Sequence, residues 1–190
     1  PSLGTNKSAF WKLDSAEQGT GGDVDAAIAK ARVDGIVIER EYRQQRLVPA
    51  FMEPRSTVVD PTGDQMIVWS ATQVPHILRF AIAATTGIPE SKVRVIAPDV
   101  GGGFGGKDGI TVQGFLALAA LHSGGRPVKL WYSREESILA GTKRHPLQAE
   151  YTLGCSRDGE LQALSARLLF DTGAYASLGS EVFALAMENA

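Results

Sequence analysis

One cysteine, Cys155, stands in a chain of 190 residues, which excludes an internal disulfide framework and any paired-cysteine metal knuckle. It reads instead as a small buried hydrophobe in a strand, and any metal chemistry must use other ligands or a metal carried by a cofactor. A basic surplus is lacking too: 19 Lys and Arg against 21 Asp and Glu leave a formal charge of −2, with no basic run or stripe. Nucleic acid and anionic membranes are therefore not expected as partners. No apolar run approaches the ~18 residues needed to cross a bilayer. The opening PSLGTNKSAFWK lacks the charged-then-apolar order of a secretory signal, so the chain is expected to be cytoplasmic with no membrane span.

Glycine is in surplus, with 21 in 190 residues, about 11% against the usual ~7%. The length suits one ordinary domain or two small ones, and folding would bury roughly 70% of the extended surface. Pro1 opens the chain without a methionine, and AMENA ends it with no turn or polar tail. A piece of a longer protein is expected.

Residues 1–22 are polar and end in EQGTGGD, an irregular lead-in or linker from a preceding domain. The domain proper is expected over 23–190. Asp23 or Asp25 caps a short helix through Ala26, Ala27, Ile28 and Ala31 that closes at Gly35, and IVIEREYRQQRLV alternates as a long strand. STVVD and QMIVWSA flank DPTGD, whose Pro and Gly placement predicts a hairpin. From Pro75 the period changes: Ile77, Leu78, Phe80, Ala81 and Ile82 make the apolar face of a helix ending at Gly87. KVRVIA is a short strand feeding the glycine stretch, 110–122 is a second helix, and PVKLWY is a further strand. Ser133 and Glu136 have capping-box spacing. Asp158-Gly159 joins two closing strands as a hairpin.

The stretch APDVGGGFGGKDG, residues 97–109, spells parts of two phosphate-binding patterns. As a P-loop it fails at Asp108, where a hydroxyl should face Mg²⁺ beside the phosphates. As the loop of a dinucleotide-binding domain it has Gly101, Gly103 and Gly106, but no acidic residue ends the next strand and a hairpin follows in place of further βαβ units. A plain packing reading has the glycines admit a tight crossing of chain segments. A third reading leaves consecutive backbone N–H groups unshielded before a helix start, a pocket of donors for an anionic or oxo oxygen, with Phe104 as an apolar wall.

GGGFGGKD, followed by GRPVKLWYSREESILAGTKRHP and preceded by QRLVPAFMEPR and WSATQVPHILR, resembles the molybdenum-binding large subunit of the xanthine dehydrogenase, aldehyde oxidase and carbon monoxide dehydrogenase family. The likeness runs from about residue 37 to the end, and RLVPAFMEPR looks most like the carbon monoxide dehydrogenase type. The resemblance implies a molybdopterin cofactor, of the cytosine dinucleotide form, that chelates molybdenum through its own dithiolene. It also implies two-iron two-sulfur clusters and FAD on partner subunits or domains, a small-molecule substrate, an oligomer when intact, and oxidation with water-derived oxygen.

By the same resemblance, Gln73 matches the glutamine whose amide faces the apical oxo ligand, Gly105 the glycine whose N–H donates to that oxygen, and Phe104 the aromatic residue near the metal. Gly103 and Gly106 complete the cofactor-binding loop. Asp108 stands where xanthine dehydrogenases carry a substrate-contacting glutamate, which puts a purine in doubt because it is shorter. Read on their own, Gln73 is a polar cap before the Pro75 helix, and Lys107 either balances charge in the loop or is solvated. Glu53 and Arg144 are structural, since buried charges persist by pairing, and His145 is a hydrogen-bonded structural residue. The family's catalytic glutamate and substrate loop lie beyond this segment, so the chain alone is expected to be silent. The expected fold is α+β of the molybdenum-cofactor-binding type, a mixed sheet with helices 75–86 and 110–122 on one face. The rival reading is a free-standing domain that uses the scaffold for binding or assembly without catalysis.

Overall fold

The computed structural model describes residues 21–173, 176 and 178–188. Almost all of the expected lead-in lies outside the described residues. The chain divides into two compact units, one built from residues up to Arg46 together with those from His145 onward, the other from Leu47–Arg144.

The discontinuous unit is an antiparallel sheet with one helix against it. Helix α1 spans Val24–Asp34, and its N-terminus is closed by Asp23, whose carboxylate accepts the Ala26 N–H at 3.1 Å; this settles the choice between the two aspartates. Strand β1 (Ile36–Gln44) pairs with a strand from the far end of the chain, Leu147–Cys155, which in turn pairs with Leu161–Phe170 through the expected Asp158-Gly159 turn. β1 stops short of the expected Val48 because its partner's ladder ends at Leu147, after Pro146, which has no N–H to extend the pairing. Ile28 and Ala31 of α1 are buried. Cys155 is a buried free thiol in its strand, as expected. Gly35 makes the turn from α1 into β1 possible: a Cβ there would lie 2.2 Å from the Cys155 carbonyl oxygen. Since backbone cannot yield cheaply, Gly35→Ala is expected to cost about 2 kcal/mol, seen as a lowered urea midpoint with unchanged slope.

The continuous unit is a four-stranded mixed sheet. Strands β2 (Ser56–Asp60) and β3 (Met66–Ser70) form the expected hairpin, β4 (Val93–Ile96) lies parallel to β3, and β5 (Val128–Trp131) lies antiparallel to β2, in the order β4-β3-β2-β5. The two later strands of the antiparallel unit are then β6 (Leu147–Cys155) and β7 (Leu161–Phe170). Helices α2 (Pro75–Thr86) and α3 (Gln113–Leu121) cover one face and bury Val59, Met66, Val68, Leu78, Ile82, Val93, Leu116, Ala117 and Ala120. Each large side chain in this set contributes about 2 kcal/mol by leaving water. α2 ends at Gly87 in the left-handed region, φ 73°, where glycine carries no Cβ penalty. α4 (Arg134–Ala140) starts on a complete Ser133–Glu136 capping box. A last helix, α5, covers Gly179–Glu188.

The α+β class and the mixed sheet with two helices on one face are as expected; the separate antiparallel sheet β1-β6-β7 is an addition to that expectation. α3 begins three residues later than expected. The Gln113 side-chain oxygen accepts the Thr111 N–H at 2.8 Å, holding the chain in a turn before the helix begins. Among the described residues no helix is long and apolar enough to cross a membrane.

Candidate functional site

Parallel pairing of β3 and β4 sends both of their carboxyl ends to one end of the sheet, where the β2 amino end also lies. Ligands of open sheets with parallel strands commonly sit outside the carboxyl ends. Three segments meet there: 51–55 before β2, 71–74 after β3, and 97–108 after β4. The glycine stretch does not run into a helix. Residues 107–112 separate Gly106 from α3, and β4 and β5 lie at opposite edges of the sheet. Neither the P-loop nor the dinucleotide geometry forms, and the donors of the loop do not belong to a helix terminus.

The five glycines divide into two kinds. Gly102 and Gly105 take φ of 88° and 78°, while Gly101, Gly103 and Gly106 admit neighbours that a side chain would hit. A Cβ on Gly101 would lie 2.5 Å from the Glu53 Cβ, on Gly103 2.1 Å from the Gln73 Oε1, and on Gly106 2.7 Å from the Phe51 Cε1. The packing reading is therefore right for these three positions. Phe104, at φ 53° and 66% exposed, holds a left-handed conformation that costs a non-glycine residue about 1 kcal/mol and clusters at functional sites.

Tight anchors surround the loop. Glu53 Oε2 accepts the Gly101 N–H at 2.8 Å and the Lys107 Nζ–H at 2.7 Å, and the Glu53 N–H donates to the Gly101 carbonyl at 3.1 Å. Burial by itself would raise the Glu53 pKa, but the hydrogen bonds from Lys107 and Gly101 and the charge of Lys107 hold it below the ordinary carboxylate value. Lys107 is not solvated: its side chain is fully buried and its ammonium lies 4.7 Å from the Phe51 ring centroid. Gln73 sits against Gly103, its N–H donating to the Lys107 carbonyl and its Oε1 accepting the Lys107 N–H, both at 3.2 Å. Because the amide oxygen is committed inward, the amide NH₂ group is left over, with no acceptor among the described residues. The N–H groups of Gly103, Phe104 and Gly105 likewise donate to no acceptor among the described residues. Three consecutive free donors beside a fourth suit an oxygen bearing negative charge.

Asp108 is half-buried, with Oδ2 3.7 Å from where a Gly105 Cβ would stand, so it lies at the loop. A cleft of about 520 Å³ opens at this end of the sheet between Glu53, Ser56, Trp69, Pro98, Lys129 and Trp131. Among the described residues no three His, Cys, Asp or Glu side chains converge to hold a metal ion; a metal that arrives with its own chelating group needs none.

Glu53 is paired, as expected, but Arg144 is exposed and contributes its backbone N–H to the Leu47 carbonyl at 2.8 Å. A guanidinium left in water needs no buried counter-charge, so the pairing expected of Arg144 does not arise. His145 is half-buried, and its ring makes no hydrogen bond among the described residues, so its role is packing: its Nε2 lies 3.3 Å from where a Gly179 Cβ would be. Sequence reasoning missed Phe51 and Arg55, both 3% exposed and both beneath the loop. A charged residue carries no local signal of burial, and the motif AFMEPR was the place to look.

A profile of the family described as "Molybdopterin cofactor-binding domain" matches residues 8–190. The chain is 43% identical over 162 residues to the nicotinate dehydrogenase large molybdopterin subunit of Eubacterium barkeri, covering 85% of this chain and 37% of the relative. It is 36% identical over 146 residues to the xanthine dehydrogenase molybdenum-binding subunit of Escherichia coli, covering 76% and 19%. Among solved structures, the aldehyde oxidoreductase of Desulfovibrio gigas superposes with a TM-score of 0.70 at 26% identity, over 84% of this chain and 17% of that one. The carbon monoxide dehydrogenase of Oligotropha carboxidovorans gives 0.65 at 30% identity, over 80% and 19%. The chain thus spans well under half the length of these relatives.

Proposed function

The chain belongs to the molybdopterin cofactor-binding domain family, and from that premise we propose that it supplies the oxo-facing part of a molybdenum hydroxylase large subunit. The observation that carries this reading is the row of unbonded N–H groups at Gly103, Phe104 and Gly105 beside the outward amide of Gln73. The residues fit the group: four neutral donors and no competing metal-ligand cluster among the described residues. Gln73 and the Gly105 N–H would hold an oxygen of the bound cofactor, Gly103 and Gly106 would let the loop approach it, and Phe104 would present its exposed ring to the substrate. Asp108 would stand at the substrate side.

When bound, the cofactor supplies the two-electron redox chemistry. This chain's own residues orient it and place hydrogen-bond donors where charge develops, an effect worth about 3 kcal/mol of barrier per donor. The cytosine dinucleotide form of the cofactor, electron exit through two-iron two-sulfur clusters to FAD on partner subunits, and a cytoplasmic location belong to the same proposal. So does the substrate class: carbon monoxide, an aldehyde or an N-heterocycle.

The test is the molybdenum and pterin content of the intact subunit that carries this segment, expressed with its neighbouring subunits. Near-stoichiometric molybdenum and a releasable pterin are expected. A folded intact protein that holds neither would overturn the reading.

A further inference from the structure

Arg55 is 3% exposed, and no carboxylate among the described residues pairs with it. Its Nη2 donates to the Gly106 carbonyl, its Nη1 lies 3.5 Å from both the Ser137 carbonyl and the Ser137 hydroxyl, and its guanidinium carbon is 5.1 Å from the Phe51 centroid. Its Nε is a buried nitrogen with no partner. A buried cation without a counter-charge is costly, and an apolar side chain of similar length would pack at lower cost. What the guanidinium adds is direction. Gly141 makes room for it, since a Cβ there would lie 2.5 Å from Nη1.

The bond to Gly106 matters because of the peptide plane to which that carbonyl belongs. The same plane carries the Lys107 N–H, which Gln73 Oε1 accepts at 3.2 Å. One rigid peptide is therefore held at its oxygen by Arg55 and at its hydrogen by Gln73. Were the plane to turn over, the N–H would leave the Gln73 oxygen. The amide would then lose the contact that distinguishes its oxygen from its nitrogen. Glycine at 106 makes such a turn easy unless something opposes it.

We infer that Arg55 is a positioning residue: acting through the Gly106–Lys107 peptide plane, it fixes which end of the Gln73 amide faces outward. The inference rests on the cofactor reading above for what Gln73 meets, but not for the geometry it describes.

The experiment is a double-mutant cycle in the intact holoenzyme with Arg55→Met and Gln73→Ala. It reads the rate of pterin loss from the purified protein and the hydrogen exchange of the Lys107 amide. Arg55→Met is expected to speed Lys107 exchange roughly tenfold while exchange in α2 and β2 stays as in the parent. Each single variant is expected to lose pterin roughly tenfold faster, and the double variant within about twofold of Gln73→Ala alone, because both act through one group. Unchanged Lys107 exchange, or effects on pterin loss that simply multiply, would overturn the positioning role. So would exchange raised evenly over the whole sheet, the mark of a merely structural arginine. If Arg55→Met does not fold, Arg55→Lys, which keeps the charge and loses the fork, carries the same cycle. A parent protein without pterin would sink the cofactor reading and leave Lys107 exchange to decide on Arg55.

Discussion

Glu53→Gln is expected to lower the unfolding free energy by about 3 kcal/mol, and Lys107→Met by about 1 kcal/mol or less. The asymmetry follows from burial. Lys107 is 0% exposed at its side chain and Glu53 32%, so neutralising the glutamate strands an ammonium away from water, whereas removing the ammonium leaves a carboxylate that water and the Gly101 N–H still reach. Urea unfolding followed by tryptophan emission suits the test, since Trp69 and Trp131 lie in β3 and β5 of the same sheet. The pH dependence has a definite sign. The folded pKa of Glu53 is held below its ordinary value of 4.5, so its contribution is complete above that pH and is lost as pH falls through the depressed folded value. Glu53→Gln should remove this part of the acid limb and leave the neutral-to-alkaline side parallel to the parent. Equal costs for the two variants would mean that the pair does not bear the burial it shows.

Gly103→Ala and Gly106→Ala should fail in opposite ways. At Gly103 the three atoms nearest the new Cβ all belong to the Gln73 side chain, Oε1 at 2.1 Å and Cδ at 2.5 Å foremost, and Gln73 is exposed and free to swing out. Stability should change by less than about 1 kcal/mol, yet displacing the amide should reduce turnover of the intact enzyme by roughly 100-fold or more, as losing a preorganised donor does. At Gly106 the Cβ meets the Phe51 ring at 2.7 Å and the Gly103 carbonyl oxygen at 3.0 Å. Phe51 is buried and the carbonyl is backbone, so neither yields, and a cost of about 2 to 3 kcal/mol is expected. Thermal melting and steady-state turnover of both variants, measured side by side, decide this. A Gly103→Ala enzyme with parental activity would remove Gln73 from the site.

Local features are readable in the sequence itself. The Asp23 cap, the Pro75 helix with its Gly87 stop, the Ser133–Glu136 box and the Asp158-Gly159 turn each depend on residues a few positions apart, and their physics is contained in that span. The division into two sheets was not readable. Ile36 pairs with Cys155, and alternation in one strand says nothing about which distant strand will meet it. The site was legible in the same uneven way. Gln73 and the glycine loop were singled out by motif, and parallel pairing of β3 with β4 brings them together. Lys107 reads from sequence as balancing charge in the loop or as solvated, and its pairing with Glu53 decides for the first. Arg55 escaped because charged residues read as solvated, and only the fold reveals that both cations lie against the Phe51 ring. The roles of Asp108 and of the outward Gln73 amide rest on turnover and pterin binding in the intact enzyme.

Consider finally the chain as the ribosome releases it. Strand β1 is complete at Gln44, but its partner begins only at Leu147, about a hundred residues later, roughly 5 to 20 s at ordinary translation speeds. The Leu47–Arg144 unit is made within that interval and is complete only at its end, while β1 waits with its hydrogen-bonding edge open and Ile36, Ile38 and Tyr42 without the neighbours they will have. Such an edge invites pairing with another nascent strand. Glu39, Arg40, Glu41 and Arg43, interleaved along β1, give the waiting strand its protection, so its charges guard the chain's birth as much as its finished surface.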